Sequence, residues 1–193
     1  MHKFAKMWIL SLIALPLLSG CLAAVIGGAA AGAGHDRRSF RTVLDDRNIQ
    51  MSAYDNFNKD KELALKNNVG IVVYNGVMLL VGEVRNAELR QRAESRVGGF
   101  SNLRKIVNEI DIREPEGFWS NRRDNTITAH VKTATLDIID LPDFDPTRVN
   151  ITTAHRTVYL MGLLSHEEAE RVADIARNVA GVEKVVRVLE YND

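Results

Sequence analysis

Cysteine and histidine, the side chains most used as nucleophile, base and soft metal ligand, are few in this chain. There is one cysteine, Cys21, and there are five histidines: His2, His35, His130, His155 and His166. No His-Glu-x-x-His, no Cys-x-x-Cys and no Gly-x-Ser-x-Gly occurs, so the residues offer no metalloprotease, redox or serine-hydrolase constellation. Asp143 and Asp145 alternate as calcium ligands would, but the sharp-turn glycine and the closing glutamate of an EF-hand loop are missing. Helix caps and turns before proline account for these aspartates. A catalytic site, a metal and a cofactor are therefore not expected. A different chemistry is offered by Phe118-Trp119, which stand close to Arg122-Arg123. Aromatic rings settle at headgroup depth and guanidinium pairs with phosphate, so the cluster suits a membrane surface. The alternative, and the usual fate of large aromatics, is that both rings pack into the cleft between domains.

Cys21 owes its interest to what precedes it. His2, Lys3 and Lys6 come first, then the apolar run Met7–Leu18, then Ser19-Gly20. A basic start, a short apolar core and small residues before a cut make a secretory signal peptide. The apolar run is shorter than the ~20 residues a membrane span needs. Leu18-Ser19-Gly20-Cys21 resembles the lipobox of bacterial lipoproteins. The resemblance implies cleavage after Gly20, a diacylglyceryl thioether on Cys21 and acylation of the new N-terminus. Several acyl chains hold a protein stably where one does not. Leu22 stands where an aspartate would imply inner-membrane retention, so the resemblance implies the outer membrane of a Gram-negative envelope, with the chain facing the periplasm.

The 193 residues carry 25 basic and 25 acidic side chains and are 46% hydrophobic, an ordinary globular composition with no global pull toward nucleic acid. Loss of residues 1–20 removes Lys3 and Lys6 and leaves the remainder slightly acidic. Residues 22–34, LAAVIGGAAAGAG, are too rich in glycine to order cheaply and read as a tether.

Beyond the tether the chain repeats itself. Ile71–Val84 (IVVYNGVMLLVGEV) returns eighty residues later as Ile151–Leu164 (ITTAHRTVYLMGLL). Each copy has alternating apolar residues on both sides of a short polar break, the signature of a β-hairpin with one core-facing side. Asn75-Gly76 is a strong hairpin turn signal. Gly82 and Gly162 read as the end of each hairpin. In the outgoing strand, Val77, Leu79 and Val81 share one face, leaving Met78 and Leu80 on the other with Val72, Tyr74, Tyr159 and Met161. That outer apolar surface either packs the repeats together or receives a partner. A helix follows each hairpin, with Leu89, Ala93, Val97 and Phe100 on one stripe in the first copy. In the second copy Ser165 and Glu168 form a capping box ahead of Ala169, Val172, Ala173 and Ala176. The closing strands are Lys105–Ile112 and Lys184–Tyr191. Asp46-Arg47-Asn48 and Asp124-Asn125-Thr126 read as the caps that open each copy's leading helix.

The expected class is α+β. Each copy runs αββαβ, a three-stranded mixed sheet covered by two helices. The segments are a signal peptide at 1–20, the lipidated cysteine and tether at 21–45, a first domain at 46–112, a linker at 113–123 and a second domain at 124–193.

Two such units behind a lipobox resemble the BON-domain (bacterial OsmY and nodulation) superfamily. The most specific residues are Val81-Gly82-Glu83-Val84 and Met161-Gly162-Leu163-Leu164, with Ala169–Ala180 and Gly181-Val182. Resemblance to the dual-BON outer-membrane lipoproteins implies binding of anionic phospholipid through the second domain. It also implies enrichment at division sites and support of outer-membrane integrity and β-barrel assembly. Phe118, Trp119, Arg122, Arg123, Thr126 and Ile127 are then the candidate lipid contacts. Related proteins place an aromatic where this chain has Thr126, so either Phe118-Trp119 substitutes for it or lipid binding is weaker. Arg156 stands where the first copy has Gly76, which implies a different second turn. The competing reading is a docking module for an envelope assembly complex that does not bind phospholipid itself.

Overall fold

A computed structural model describes residues 36–115 and 118–193; residues 1–35, with the expected signal peptide, Cys21 and most of the expected tether, lie outside the described residues, and the last part of that tether, residues 40–45, is helix. The first copy comprises α1 (Phe40–Asn58), α2 (Lys61–Lys66), β1 (Asn68–Tyr74), β2 (Val77–Val84), α3 (Ala87–Val97) and β3 (Lys105–Ile112). The second comprises α4 (Phe118–Thr135), a 3₁₀ turn at Pro146–Arg148, β4 (Val149–Ala154), β5 (Thr157–Leu164), α5 (His166–Asn178) and β6 (Lys184–Tyr191). Each copy folds its strands into one mixed sheet, β1-β2-β3 and β4-β5-β6, with an antiparallel hairpin and a parallel third strand. A parallel return needs a crossover, and α3 and α5 supply it.

Both leading helices start earlier than their sequence suggests. Ser39, not Asp46, caps α1, and α4 begins at Phe118, ahead of Asp124. Asp46 and Asp124 lie inside their helices, buried, and reach across to the hairpins. The Asp46 carboxylate accepts from Asn75 N at 2.6 Å and Gly76 N at 2.8 Å; Asp124 accepts from His155 N at 2.7 Å and Arg156 N at 3.0 Å. One device therefore pins both turns to their helices.

The second turn also keeps the first turn's shape. Asn75 and Gly76 have φ of 50° and 70°, His155 and Arg156 48° and 61°. A non-glycine residue at such φ costs about 1 kcal/mol or more. Asp124 offsets this, as does Arg156, whose Nε donates to Gly181 O at 3.0 Å.

Gly82 does not end its strand, since β2 runs on to Val84. It sits at φ +107°, where a Cβ would lie 1.9 Å from Asn68 O. Gly82→Ala should cost about 2 kcal/mol, because backbone has to move to relieve the overlap. Urea unfolding of the variant checks this.

The two-residue turns decide which strand faces look inward. Tyr74 pairs with Val77 and Val72 with Leu79, so Met78 and Leu80 face the helices with Ile71 and Val73, against the sequence assignment. The opposite faces carry Tyr74, Val77, Leu79, Val81, Tyr159 and Met161, which form one buried cluster shared by the two sheets. The layers run helices, sheet, sheet, helices. The apolar surface that could have received a partner is spent on the other repeat.

Polar contacts rim this junction. Tyr74 Oη donates to Arg148 O at 3.1 Å, Asn75 Nδ2 to Glu190 Oε2 at 2.7 Å, and Arg104 pairs with Glu190 at 2.6 Å.

Candidate membrane-contact face

α4 reads differently on its two sides. At 100° per residue, Ser120, Asp124, Ile127 and Val131 fall on one side, and all four are buried. Ile127 is 3% exposed within the second core, among Val131, Val149, Val158 and Val172. It is therefore withdrawn from the candidate lipid contacts: its side chain is committed to packing. Arg122, Arg123 and Thr126 are exposed on the other side. Positions 118 and 119 belong to the same side by helical period; the side chains of Phe118 and Trp119 lie outside the described residues. His130, one turn beyond Thr126, is also exposed there. Its i+4 spacing from Thr126 is the signal that puts it on this side.

The outer side of α4 carries Arg122 and Arg123 near its start and His130 further on, with no carboxylate beside them. Asp124 is the helix's one acidic residue, and it is turned inward to the His155–Arg156 turn. Thr126 Oγ1 donates to Arg122 O at 3.0 Å, which keeps its hydroxyl on the helix. Asn68 Nδ2 of the first repeat donates to Asn121 Oδ1 at 2.9 Å and fixes this end of α4 against the first sheet.

At α5 the capping box forms as expected, with Ser165 Oγ accepting from Glu168 N and Glu168 accepting from Ser165 N. Glu168 is also gripped by Arg37, which donates to its two oxygens at 2.5 and 2.9 Å and to Leu163 O at 3.1 Å. Arg37 precedes the first repeat's leading helix, so this clasp ties that end of the chain to the second repeat. Burial pushes the Glu168 carboxyl up, but the Arg37 and Ser165 hydrogen bonds and the charges of Arg37 and Arg148 outweigh it and hold it below the ordinary value. A carboxyl so depressed contributes stability above its unfolded pKa, about 4.3, and loses it as pH falls through the folded value. Arg37→Ala should therefore cost about 2 kcal/mol near neutrality, and the gap from the parent should close below about pH 4. Urea midpoints across that range read the gap.

Among the described residues no three His, Cys, Asp or Glu gather as a metal site, and no helix is long and apolar enough to cross a membrane.

Comparison with known proteins returns the BON domain, whose family profile matches residues 45–114 and 123–193. The chain is 31% identical over 178 residues to "Outer membrane lipoprotein DolP" of Haemophilus influenzae, covering 91% of each chain. It is 32% identical over 156 residues to the "21 kDa hemolysin" of Actinobacillus pleuropneumoniae, covering 81% of this chain and 79% of that one. Among solved structures, CdsD, a structural protein of the type III secretion system of Chlamydia trachomatis, aligns over 75% of this chain and 92% of its own. Its identity is 10% and its TM-score 0.28.

Proposed function

The chain belongs to the BON-domain family, with two copies in tandem, and from that premise we propose that it is a lipid-anchored outer-membrane protein whose second BON domain binds anionic phospholipid. The observation that carries this reading is the outer side of α4: Arg122, Arg123 and His130 are exposed on it, and the helix's only carboxylate points away. Each arginine held near an anionic bilayer contributes about 1 kcal/mol, while a carboxylate on the same side would cancel part of that. The anchor on Cys21 would keep the domain within reach of the periplasmic leaflet, so a weak surface contact suffices. In this role the protein binds and does not catalyse. Support of outer-membrane integrity, action at division sites and service to β-barrel assembly would follow from a module that marks anionic lipid.

The reading is tested with the mature chain carrying Cys21→Ser, so that no acyl chain contributes. The unlipidated protein should sediment with vesicles containing anionic lipid, and Arg122→Ala/Arg123→Ala should cut its partitioning about 30-fold, two arginines at about 1 kcal/mol each. Adding Trp119→Ala should cut it further. Equal sedimentation of parent and triple variant would remove the proposal.

A further inference from the structure

The two repeats cover their outer hairpin strand differently, and the difference leaves a binding edge in the second. In a hairpin closed by a two-residue turn, the flanking pair exchanges hydrogen bonds and every second residue turns its N–H outward. In β1 those outward donors belong to Ile71 and Val73, followed by Asn75 in the turn. Each meets an acceptor from α1: Ile71 N donates to Tyr54 Oη at 3.0 Å, Val73 N to Gln50 Oε1 at 3.1 Å, and Asn75 N to Asp46 Oδ2 at 2.6 Å. Three helix residues four apart thus cover three strand donors two apart, and the edge is closed.

Asp46 corresponds to Asp124, so Gln50 corresponds to Thr128 and Tyr54 to Lys132. The buried positions agree with this register, Ile49, Ala53 and Phe57 matching Ile127, Val131 and Thr135. Only the first cover survives, in His155 N on Asp124. Thr128 is too short and gives its hydroxyl to Thr153 Oγ1 at 2.7 Å. Lys132 carries three donors and no acceptor, so it cannot receive an N–H at all. By the β4–β5 register, Ile151 and Thr153 point their N–H outward, and neither has a partner for it among the described residues.

The surroundings say what would fit. Val149 and Asn150, at the start of β4, line a cleft of about 710 Å³ that reaches across to α1 of the first repeat. Arg47 and Lys132 face it from opposite walls, both exposed and without an ion-pair partner among the described residues. Asp46, the one carboxylate lining it, is held by Arg38 at 2.8 Å. Met51 and Leu136 give it an apolar rim, 62% and 64% exposed.

We propose that β4 accepts an added strand, an extended acidic segment of a partner protein, whose carbonyls take the Ile151 and Thr153 N–H and whose carboxylates meet Lys132 and Arg47. Outward donors on alternate residues, about 6.8 Å apart, match another backbone rather than a lipid headgroup. Closing such an edge with side chains is what the first repeat does. The inference stands apart from lipid binding by α4.

The probe is a capped synthetic peptide of about eight residues alternating valine and aspartate, long enough for one strand, added to the unlipidated Cys21→Ser chain. The Ile151 and Thr153 amide signals should shift and exchange with solvent more slowly. Thr128→Gln/Lys132→Tyr, which installs the first repeat's cover, should weaken binding at least about tenfold. Arg47→Glu, on the other repeat and away from the edge, should weaken it up to about fivefold, as an exposed charge does. Arg122→Ala/Arg123→Ala should leave it unchanged. The proposal is overturned if the two amides do not respond, or if the edge-covering variant binds as the parent does. It is equally overturned if a lysine-for-aspartate peptide binds as well, or if anionic vesicles and not the peptide protect Ile151 and Thr153.

Discussion

Asp46→Ala will lower the stability of the folded chain by about 4 kcal/mol, because it removes at once the acceptor of the buried Gly76 N–H, the acceptor of the half-buried Asn75 N–H and the Arg38 ion pair. Asp46 is 4% exposed and accepts from Asn75 N, Gly76 N and Arg38 at once. Each orphaned buried donor costs about 1–3 kcal/mol. Arg38, whose guanidinium lies 3.7 Å from the Tyr74 ring centroid, loses its ion pair with Asp46 beside that ring. Asp46→Asn keeps one acceptor oxygen and should cost roughly half as much. Asp124→Ala should cost less, since it removes the acceptor of the half-buried His155 and Arg156 N–H donors without breaking an Arg38-like ion pair, though Arg156 then holds its left-handed φ without the carboxylate. Urea unfolding checks all three variants, and a cost below about 1 kcal/mol for Asp46→Ala would show that the turn holds itself.

Leu79→Ala should cost about 3 kcal/mol, the usual range for emptying a fully buried leucine site. Leu79 has no exposed surface, yet it belongs to neither helix-covered core; it lies in the cluster between the sheets. The loss is therefore a loss of cohesion between repeats. Met161→Ala draws on the same cluster from the other side, so the double variant should depart from additivity by about 0.5 kcal/mol or more. Strict additivity in a double-mutant cycle, read by urea unfolding, would mean that the sheets do not share that cluster in solution.

Much of the fold was readable because the chain states it twice. Both closing strands, the turn position between β1 and β2 and the Ser165–Glu168 cap follow from local chemistry, and local chemistry governs them in the structure. The failures share a cause: residues whose type has two uses. Asp46 and Asp124 look like helix caps, since aspartate caps helices, but a buried aspartate serves as well as a turn anchor, and only the fold brings the turn within reach. Every residue of β2 is apolar except Glu83 and Gly82, so alternation carries no information on which face Met78 and Leu80 occupy. The hairpin pairing settles the matter, and pairing is long-range relative to the pattern. Gly82 looks like a strand end by type, yet it answers to the Asn68 carbonyl fourteen positions earlier.

By sequence Arg122 and Arg123 fall in a linker and the helix opens at Asp124, whereas the structure carries all the candidate contacts on one helix, α4. Arg122, Arg123 and Thr126 are exposed as a membrane contact requires, Ile127 is not, and His130 joins them. A helix start set at Asp124 hid the period. With the start at Phe118, the buried set Ser120, Asp124, Ile127 and Val131 fixes the helix's orientation, and the outer set follows from it.

The most direct test of lipid binding by the second repeat is amide-shift mapping of the unlipidated chain against anionic and against zwitterionic micelles. Signals of Arg122, Arg123, Thr126 and His130 should move with anionic micelles and stay in place with zwitterionic ones. Equal responses to both, or changes confined to the first repeat, would contradict the account.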